Sequence, residues 1–269
     1  MRQRLIWFLA VWSAVALLGP RLAPHAPEKQ FRTQAAASPS AQFLLGTDEL
    51  GRDRFSRLLH ASQWSLFAGA SATVLTLFLG LALGLSSAAG PSWWRATLHW
   101  AADLSLSLPW LYLLIAFRSF LPLSLAPGVA FVLIITLVGL LGWAAPAKLL
   151  EAAAQESLAS DYVRASRAMG ASTFFVLRRH VMPHLGTVLV PQFCLLLPQY
   201  VLAESALSFL GLGLGEPTPT WGTMLANVRE RLTVGLAWWD LAPLLPVAAL
   251  SLSSHWGSSH REDKLSWQK

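Results

Sequence analysis

Long apolar runs without a charged residue constrain this chain more than any other feature of its sequence. Residues 64–89 contain no Asp, Glu, Lys or Arg, and neither do residues 129–147. A helix needs roughly 20 apolar residues to cross the hydrocarbon core of a bilayer. Because lipid offers no partner to a backbone N–H or C=O group, these runs must pair their backbone internally. The sequence therefore predicts an all-α, polytopic membrane protein.

About six transmembrane helices are expected from runs of this kind. They cover residues 5–18, 64–89, 98–117, 129–147, 185–202 and 236–252. The first run is short and follows Arg2 and Arg4. Two interpretations of it stay open: a retained first span, which the rest of the chain favours, or a signal peptide with a cleavage site near Ala14-Val15-Ala16.

The composition agrees with a lipid-facing surface. Only 13% of the 269 residues are charged, against roughly 25% in soluble domains. The net charge of +6 comes from basic residues scattered between apolar runs, without the basic and aromatic stripe of a nucleic-acid-binding protein. Membrane lipids, and not nucleic acid, are the expected partner. Cys194 is the only cysteine and lies in an apolar run, so neither an internal disulfide nor a metal cluster is expected.

A polar segment between the fourth and fifth runs, residues 160–183, has the pattern of a helix–turn–helix. Its first helix carries apolar residues at helical spacing. These are Leu158, Tyr162, Ala165 and Met169. Arg164 and Arg167 lie on the other side of the same helix. The pattern predicts an apolar ridge with a basic rim.

The ends of the two short helices are also marked in the sequence. Ser160 or Asp161 is expected to cap the first helix, and Gly170 to end it in a left-handed conformation. Ser172 or Thr173 is expected to cap the second helix. The basic residues Arg178, Arg179 and His180 then fill its last turn before Pro183.

Three interpretations are open for this helix–turn–helix segment: docking to a partner protein, a helix on the lipid surface, and a solvated loop. A helix lying on a lipid surface normally uses large apolar residues. The ridge from Leu158 to Met169 is mostly small or medium, which favours a groove on a partner protein. The lipid surface and the solvated loop stay the alternatives.

Three stretches, in order along the chain, resemble one family: the inner-membrane permease subunits of binding-protein-dependent ABC importers, in the dipeptide/oligopeptide/nickel group. The helix–turn–helix segment is similar to that family's cytoplasmic coupling loop. It reads Asp161-Tyr162-Val163-Arg164-Ala165-Ser166-Arg167-Ala168-Met169-Gly170-Ala171-Ser172, followed by Arg179-His180-Val181-Met182-Pro183. The literal Glu151-Ala152-Ala153 lies 19 residues before Gly170, too early for the family's Glu-Ala-Ala position.

The other two stretches resemble loops of the same permeases. The first reads Leu45-Gly46-Thr47-Asp48-Glu49-Leu50-Gly51-Arg52-Asp53, with Ser56-Arg57-Leu58. The second reads Glu204-Ser205-Ala206-Leu207-Ser208-Phe209-Leu210-Gly211-Leu212-Gly213, with Pro217-Thr218-Pro219-Thr220-Trp221-Gly222. The family's closing motif, Gly-Asp-Gly-Leu-Arg-Asp, is absent after Leu250.

The resemblance implies a set of site residues but no catalytic residue, metal ligand or cofactor. Coupling to a separate ATPase would involve Tyr162, Arg164, Ala165, Arg167, Met169, Gly170 and Pro183. The periplasmic loop motifs would involve Gly46, Asp48, Gly51, Arg52, Asp53, Glu204, Ser208, Gly211, Gly213, Trp221 and Gly222.

The resemblance also implies an organisation and a set of partners. Residues 1–61 would form the first transmembrane helix and a periplasmic segment, residues 62–255 the permease domain, and residues 256–269 a polar tail. The partners would be ATP-binding cassette subunits, a second permease subunit in a heterodimer, and a periplasmic or lipid-anchored substrate-binding protein. The location would be the cell inner membrane, and the substrates di- or oligopeptides.

Other functions are weighed against this one. Nickel or another small solute is the alternative substrate within the same family. A secondary transporter would need an inverted repeat and ion-coupling acids at mid-membrane, and a membrane-embedded enzyme would need paired catalytic groups. Asp103 is expected to face the water interface, and Glu204 is expected to anchor the following loop by hydrogen bonds. A proton relay is the alternative for either residue. His180 and His184 are four apart, but Pro183 between them argues against a shared metal-binding face.

Overall fold

The computed structural model describes residues 2–120, 122, 126–231 and 235–258. As predicted, the architecture is helical. Strand-like pairing within the described residues is limited to isolated bridges, Gln30 with Arg52 and Thr47 with Asp53. Both bridges lie in the loop that follows the first helix, where a short 3-10 helix, Arg32–Gln34, also forms.

Six helices precede the helix–turn–helix segment. They are α1 (Arg2–Leu22), α2 (Arg54–Ala89), α3 (Ser92–Ser107), α4 (Trp110–Ser119), α5 (Pro127–Leu141) and α6 (Ala144–Leu158). Helix α2 begins well before the predicted apolar run at residue 64, because the charged stretch from Arg54 is helical and continuous with it. The helix therefore carries buried arginines in its first turns, ahead of the uncharged part.

Five helices follow. They are α7 (Asp161–Ala168), α8 (Thr173–Val176), α9 (Met182–Phe209), α10 (Trp221–Arg231) and α11 (Leu244–Ser258). The residues Leu177–Val181 form a π-helical turn between α8 and α9, and Trp238–Leu241 form a 3-10 helix before α11.

Two of the predicted runs are bent pairs of helices and not single rods. Helices α3 and α4 meet at 83°, and α5 and α6 meet at 49°. The first bend follows from Pro109, since the residue before a proline avoids helical backbone; Leu108 has ψ 137°. Hydropathy does not indicate this break, because the residues on both sides of it belong to one apolar run.

The number of spans is at least three by length and composition. The helical stretches Gln3–Leu22, Arg54–Ala89 and Thr173–Phe209 qualify, and counting each bent pair as one span gives up to five. The sixth predicted run divides into the 3-10 helix and α11, whose 15 residues are short for a crossing. A sixth span stays a prediction. Residues 256–258 of the predicted polar tail belong to α11, and the rest of the tail, from residue 259, lies outside the described residues.

The sequence pattern predicted that the second short helix ends before Pro183, and this prediction is wrong. It runs through the π-turn into α9, giving one helical stretch over Thr173–Phe209. A proline ring clashes with the carbonyl four residues earlier in a regular helix. The wider π-turn relieves this clash, and the N–H of Met182 bonds to the carbonyl of Leu177 instead.

The described residues divide into two compact units. The first is formed from Met1–Ser71, Phe117–Ile135 and Cys194–Lys269. Within it, α1 packs against α11, and the indole N–H of Trp12 donates to Ser253 Oγ at 3.0 Å.

The second unit is formed from Ala72–Ala116 and Thr136–Phe193. Within it, α6 packs against α3 and against the later part of α2. Gly84 permits the contact with α2, because a β-carbon there would lie 2.7 Å from the carbonyl oxygen of Ala147. This second unit also contains the helix–turn–helix segment.

Candidate functional site

The helix–turn–helix segment folds in the second unit with the turn that the sequence predicted. Gly170 has φ +88°, a left-handed conformation that favours glycine. Ser172 Oγ accepts a hydrogen bond from the N–H of Phe175 at 3.3 Å and caps α8. Ser160 stands at the N-cap of α7, but its hydroxyl donates to the carbonyl of Ser157 at 2.6 Å and leaves the helix uncapped.

An apolar core fixes this segment to its neighbours within the second unit. Val163 of α7 is fully buried and Ser166 nearly so. The core around Val163 consists of Ala88, Leu150, Ala153, Ala154, Val176, Val181 and Leu185. Since these residues come from α2, α6, α8, the π-turn and α9, the segment is held as part of the packed unit and not as a loose loop.

The opposite face of the segment exposes its apolar residues, as a docking ridge requires. Met169 is 83% exposed and Phe174 is 73% exposed. Tyr162, Ala165 and Phe175 are exposed as well. Leu158, the first predicted member of the ridge, is instead partly buried against the core. The sequence pattern missed Phe174 and Phe175, because the short α8 offers too few turns for a periodicity.

Rings from both short helices are grouped around one histidine. The rings of Tyr162 and His180 lie 5.5 Å apart, and those of Phe175 and His180 lie 6.1 Å apart. Hydrogen bonds with Ser157 and Ser160 lower the pKa of the Tyr162 phenol. The grouping gives the exposed ridge a fixed shape across the Gly170 turn.

Basic side chains surround the ridge. Arg164, Arg167, Arg178 and Arg179 are all exposed. Arg164 lies 3.6 Å from Asp161, and both side chains are largely in solvent, so this pair contributes little to stability. The surface is therefore apolar in the middle and positive at the edge.

The first unit brings together the two loop motifs. In the stretch from Gly46 to Asp53, the Asp48 carboxylate accepts the N–H of Arg52 at 2.8 Å and its Nε–H at 2.6 Å. Gly46 and Gly51 have φ +68° and +74°, and a β-carbon on either would collide with backbone of the same loop. The stretch is a closed turn built around Asp48.

Asp53 ends this turn and orders the segment on both sides of it. Its carboxylate accepts the hydroxyl of Ser56 at 2.5 Å and lies 3.1 Å from His25 Nδ1. The N–H of His25 in turn donates to Ser56 Oγ at 3.0 Å. The start of α2 is thereby tied to the loop after α1.

Glu216 joins the two loop motifs, and sequence reasoning did not single it out. It accepts from Arg52 at 2.8 Å and from Arg57 at 2.8 Å. Burial lowers the pKa of the Arg52 guanidinium, but the hydrogen bonds to Glu216 and Asp48 raise it more, so its pKa lies above the ordinary value. No local pattern in the sequence reveals a pairing across such a distance.

Glu204 anchors the second loop motif by hydrogen bonds, as predicted. Its Oε1 accepts from Ser208 Oγ at 2.7 Å and from Thr220 Oγ1 at 2.9 Å. The N–H of Trp221 donates to Ser65 Oγ on α2 at 2.9 Å. Gly211 has φ +78°, which reverses the chain after α9.

The glycines Gly213 and Gly222 both lie against Ser208. Neither position leaves room for a β-carbon beside that serine. The loop therefore closes tightly over the end of α9.

The first unit also contains a cluster of charged side chains that the sequence did not predict. Asp240 binds Arg54, and Arg231 lies 3.5 Å from the same carboxylate. These three residues line a cavity of about 40 Å³ together with Met224 and Trp239. In the part of the chain that the structure describes, no group of three or more His, Cys, Asp or Glu is placed to hold a metal ion.

The predicted site residues thus form two sets. The seven coupling positions, from Tyr162 to Pro183, lie in the second unit. The eleven loop-motif positions all lie in the first unit.

Comparison with known proteins gives concordant matches. Residues 77–263 match the family described as binding-protein-dependent transport system inner membrane component. The chain is 39% identical over 248 residues to the di/tripeptide transport system permease protein DppC of Pseudomonas aeruginosa (strain UCBPP-PA14), covering 88% of this chain and 79% of that protein. It is 31% identical over 252 residues to the dipeptide transport system permease protein DppC of Bacillus subtilis (strain 168), covering 93% of this chain and 75% of that protein.

Proposed function

Because the chain belongs to the family of binding-protein-dependent transport system inner membrane components, we propose that it forms half of a peptide translocation pathway and couples it to a separate ATPase. The chain is a multi-pass membrane permease of an ABC importer. Two of the relatives are named as di/tripeptide and dipeptide permeases, and others are named as putative peptide permeases, so peptides are the proposed cargo. Nickel or another small solute is the alternative within this family.

One observation carries the proposed coupling. The segment of residues 160–183 is packed into the unit on one side, through Val163 and Ser166, and exposes an apolar ridge on the other. A rigid element transmits the displacement of a partner, whereas a flexible loop absorbs it. The ridge would insert into a cleft on the ATP-binding subunit in the cytoplasm.

The arginines around the ridge give the proposed contact a charge preference. Arg164 and Arg167 would form charge-assisted hydrogen bonds with acidic groups at the edge of that cleft. The ridge itself would supply the apolar contact area. The partner surface should therefore be apolar in the middle and acidic at its edge.

The two loop motifs of the first unit are proposed to face the periplasm. Glu216 ties them together through Arg52 and Arg57, so they form one ordered surface instead of two independent loops. Such a surface suits a substrate-binding protein that must deliver its cargo in a fixed orientation. The second permease subunit, in a heterodimer, would complete the pathway.

Crosslinking from neighbouring positions tests this proposal. Ala165 is exposed and Ser166 is buried in the same turn of α7. In a chain whose native Cys194 is replaced by alanine, Ala165→Cys should crosslink to the ATP-binding subunit, and Ser166→Cys should not. A reaction of Ala165→Cys with an impermeant reagent added outside intact cells would instead place the segment in the periplasm and overturn the proposal.

A further inference from the structure

Two polar side-chain contacts join α3 and α6 in antiparallel register. Glu151 of α6 contacts His99 of α3, and Lys148 of α6 contacts Asp103 of α3. The positions are three apart on α6 and four apart on α3, so each pair of residues lies on one face of its helix. These contacts form a polar seam along the two helices.

The Glu151 contact is the buried part of this seam. The Glu151 side chain is 5% exposed and that of His99 is 46% exposed, whereas Lys148 and Asp103 are 34% and 67% exposed. Glu151 Oε2 lies 2.7 Å from His99 Nε2, and Oε1 accepts from Gln155 at 2.9 Å. A buried carboxylate that loses its partners costs more than an exposed ion pair that is separated.

Arg95 extends the contact from α3 to the end of α2. Its Nε lies 3.6 Å from Glu151 Oε1. The same guanidinium donates to the carbonyls of Ser87 and Ala88 in the last turn of α2, at 3.3 and 3.4 Å. Glu151 and Arg95 together therefore link three helices of the second unit.

The position of Glu151 links this contact to the helix–turn–helix segment. Its neighbours in α6, Leu150 and Ala154, belong to the apolar core that buries Val163 of α7. On its other side, α6 meets α3, which leads through the 83° bend into α4. Helix α6 is thus packed against the proposed docking segment on one face and bonded to α3 on another.

We propose that Glu151 is a positioning residue that transmits movement of the helix–turn–helix segment to α3 and α4. Displacement of the segment moves α6 through the apolar core, and the contacts of Glu151 with His99 and Arg95 carry that movement into α3. The exposed contact of Lys148 with Asp103 contributes less. This inference depends on the proposed coupling to an ATPase.

The test measures the response of α4 to ATP and does not require a known substrate. Tyr112 of α4 is 72% exposed, so a cysteine placed there, in a chain with Cys194→Ala, reports on its surroundings by its rate of maleimide labelling. The assembled transporter is reconstituted in liposomes and labelled with and without ATP and vanadate. We expect ATP to change the labelling rate of Tyr112→Cys severalfold, and Glu151→Gln to remove that change.

Matched variants separate transmission from folding. Glu156 lies on the same helix and is exposed, so Glu156→Gln should keep the full ATP response. His99→Gln retains a donor toward Glu151 and should keep most of it, whereas His99→Phe should lose it. A normal ATP response in assembled Glu151→Gln, or the same loss in Glu156→Gln, overturns the inference.

A crosslink distinguishes this inference from the proposed function. Ala165→Cys should still reach the ATP-binding subunit in the Glu151→Gln background, because docking does not involve Glu151. If that crosslink is missing in the otherwise native chain as well, the proposed coupling is wrong, and the transmission inference is overturned with it. If it is present in both chains and only the α4 response is lost, transmission through Glu151 is supported.

Discussion

Glu216 accepts a hydrogen bond from Arg57 at 2.8 Å, although 159 residues separate them in the sequence. Arg57 is almost completely buried, whereas the Glu216 side chain is 43% exposed. The same carboxylate binds Arg52, so it joins the loop before α2 to the loop after α9. A single solvent-accessible acid therefore neutralises a buried arginine and fixes two loop motifs at once.

Replacing Glu216 by glutamine should destabilise the first unit. Arg57 would lose its counter-charge while it stays buried, and such a loss costs several kcal/mol in a dry site. Because Glu216 itself is partly in solvent, we expect about 2 kcal/mol. Thermal unfolding in detergent should show a lower midpoint for Glu216→Gln. Glu49→Gln, in the same loop but exposed, should leave the midpoint unchanged; equal effects would contradict the role given to Arg57.

Replacement by alanine should destabilise the protein at Gly222 but not at Gly186. A β-carbon at Gly222 would lie 2.6 Å from Ser208 Cβ and 2.7 Å from Ser205 Cα, and overpacking of this kind costs about 1–3 kcal/mol. A β-carbon at Gly186 would meet nothing within 4 Å, and alanine is the better helix former by about 1 kcal/mol. The detergent unfolding midpoint should fall for Gly222→Ala and rise or hold for Gly186→Ala. A rise for both would show that the loop after α9 does not pack as described.

Substitution of Phe174 should weaken docking without affecting folding, whereas substitution of Val176 should reduce stability. Phe174 is 73% exposed and Val176 is fully buried, two residues away. Phe174→Ala should leave the unfolding midpoint unchanged but weaken retention of the ATP-binding subunit during purification. Val176→Ala should cost about 2 kcal/mol of stability by leaving a cavity in the core. Normal subunit retention by folded Phe174→Ala would remove that residue from the docking surface.

Local patterns in the sequence predicted the parts of this fold that depend on local chemistry. Gly170 follows a helical period and adopts the left-handed turn expected there, because few other residues tolerate that backbone. Glu204 was expected to hold the following loop, and Ser208, one helical turn later, completes that contact. Uncharged runs likewise predicted the all-helical membrane architecture.

Features that depend on contacts between distant residues, or on the local shape of the backbone, could not be predicted from the sequence. Glu216 and Asp240 meet their arginines only after the chain folds, so no spacing reveals them. Glu151 belongs to a literal Glu-Ala-Ala outside the matching position, and its contact with His99 comes from the packing of α3 on α6. The break before Pro109 lies inside one predicted apolar run, so hydropathy does not mark it. At Pro183 the pattern predicted an end, but a π-turn lets the helix continue.

Gly170 offers the sharpest test of whether the shape of the helix–turn–helix segment matters for coupling. A β-carbon at this position meets nothing within 4 Å, so any effect of a substitution comes from the backbone at φ +88°. A valine would cost about 1–2 kcal/mol in this conformation, whereas asparagine tolerates it. Gly170→Val should therefore lower transport per ATP hydrolysed without lowering the membrane level of the chain, and Gly170→Asn should stay close to the native ratio. Uptake of alanyl-alanine and phosphate release in the same proteoliposomes give the transport ratio, and immunoblotting of cell membranes gives the level of the chain. If the valine variant transports normally at a normal membrane level, the left-handed turn is not needed for coupling, and the angle between α7 and α8 has no mechanical role.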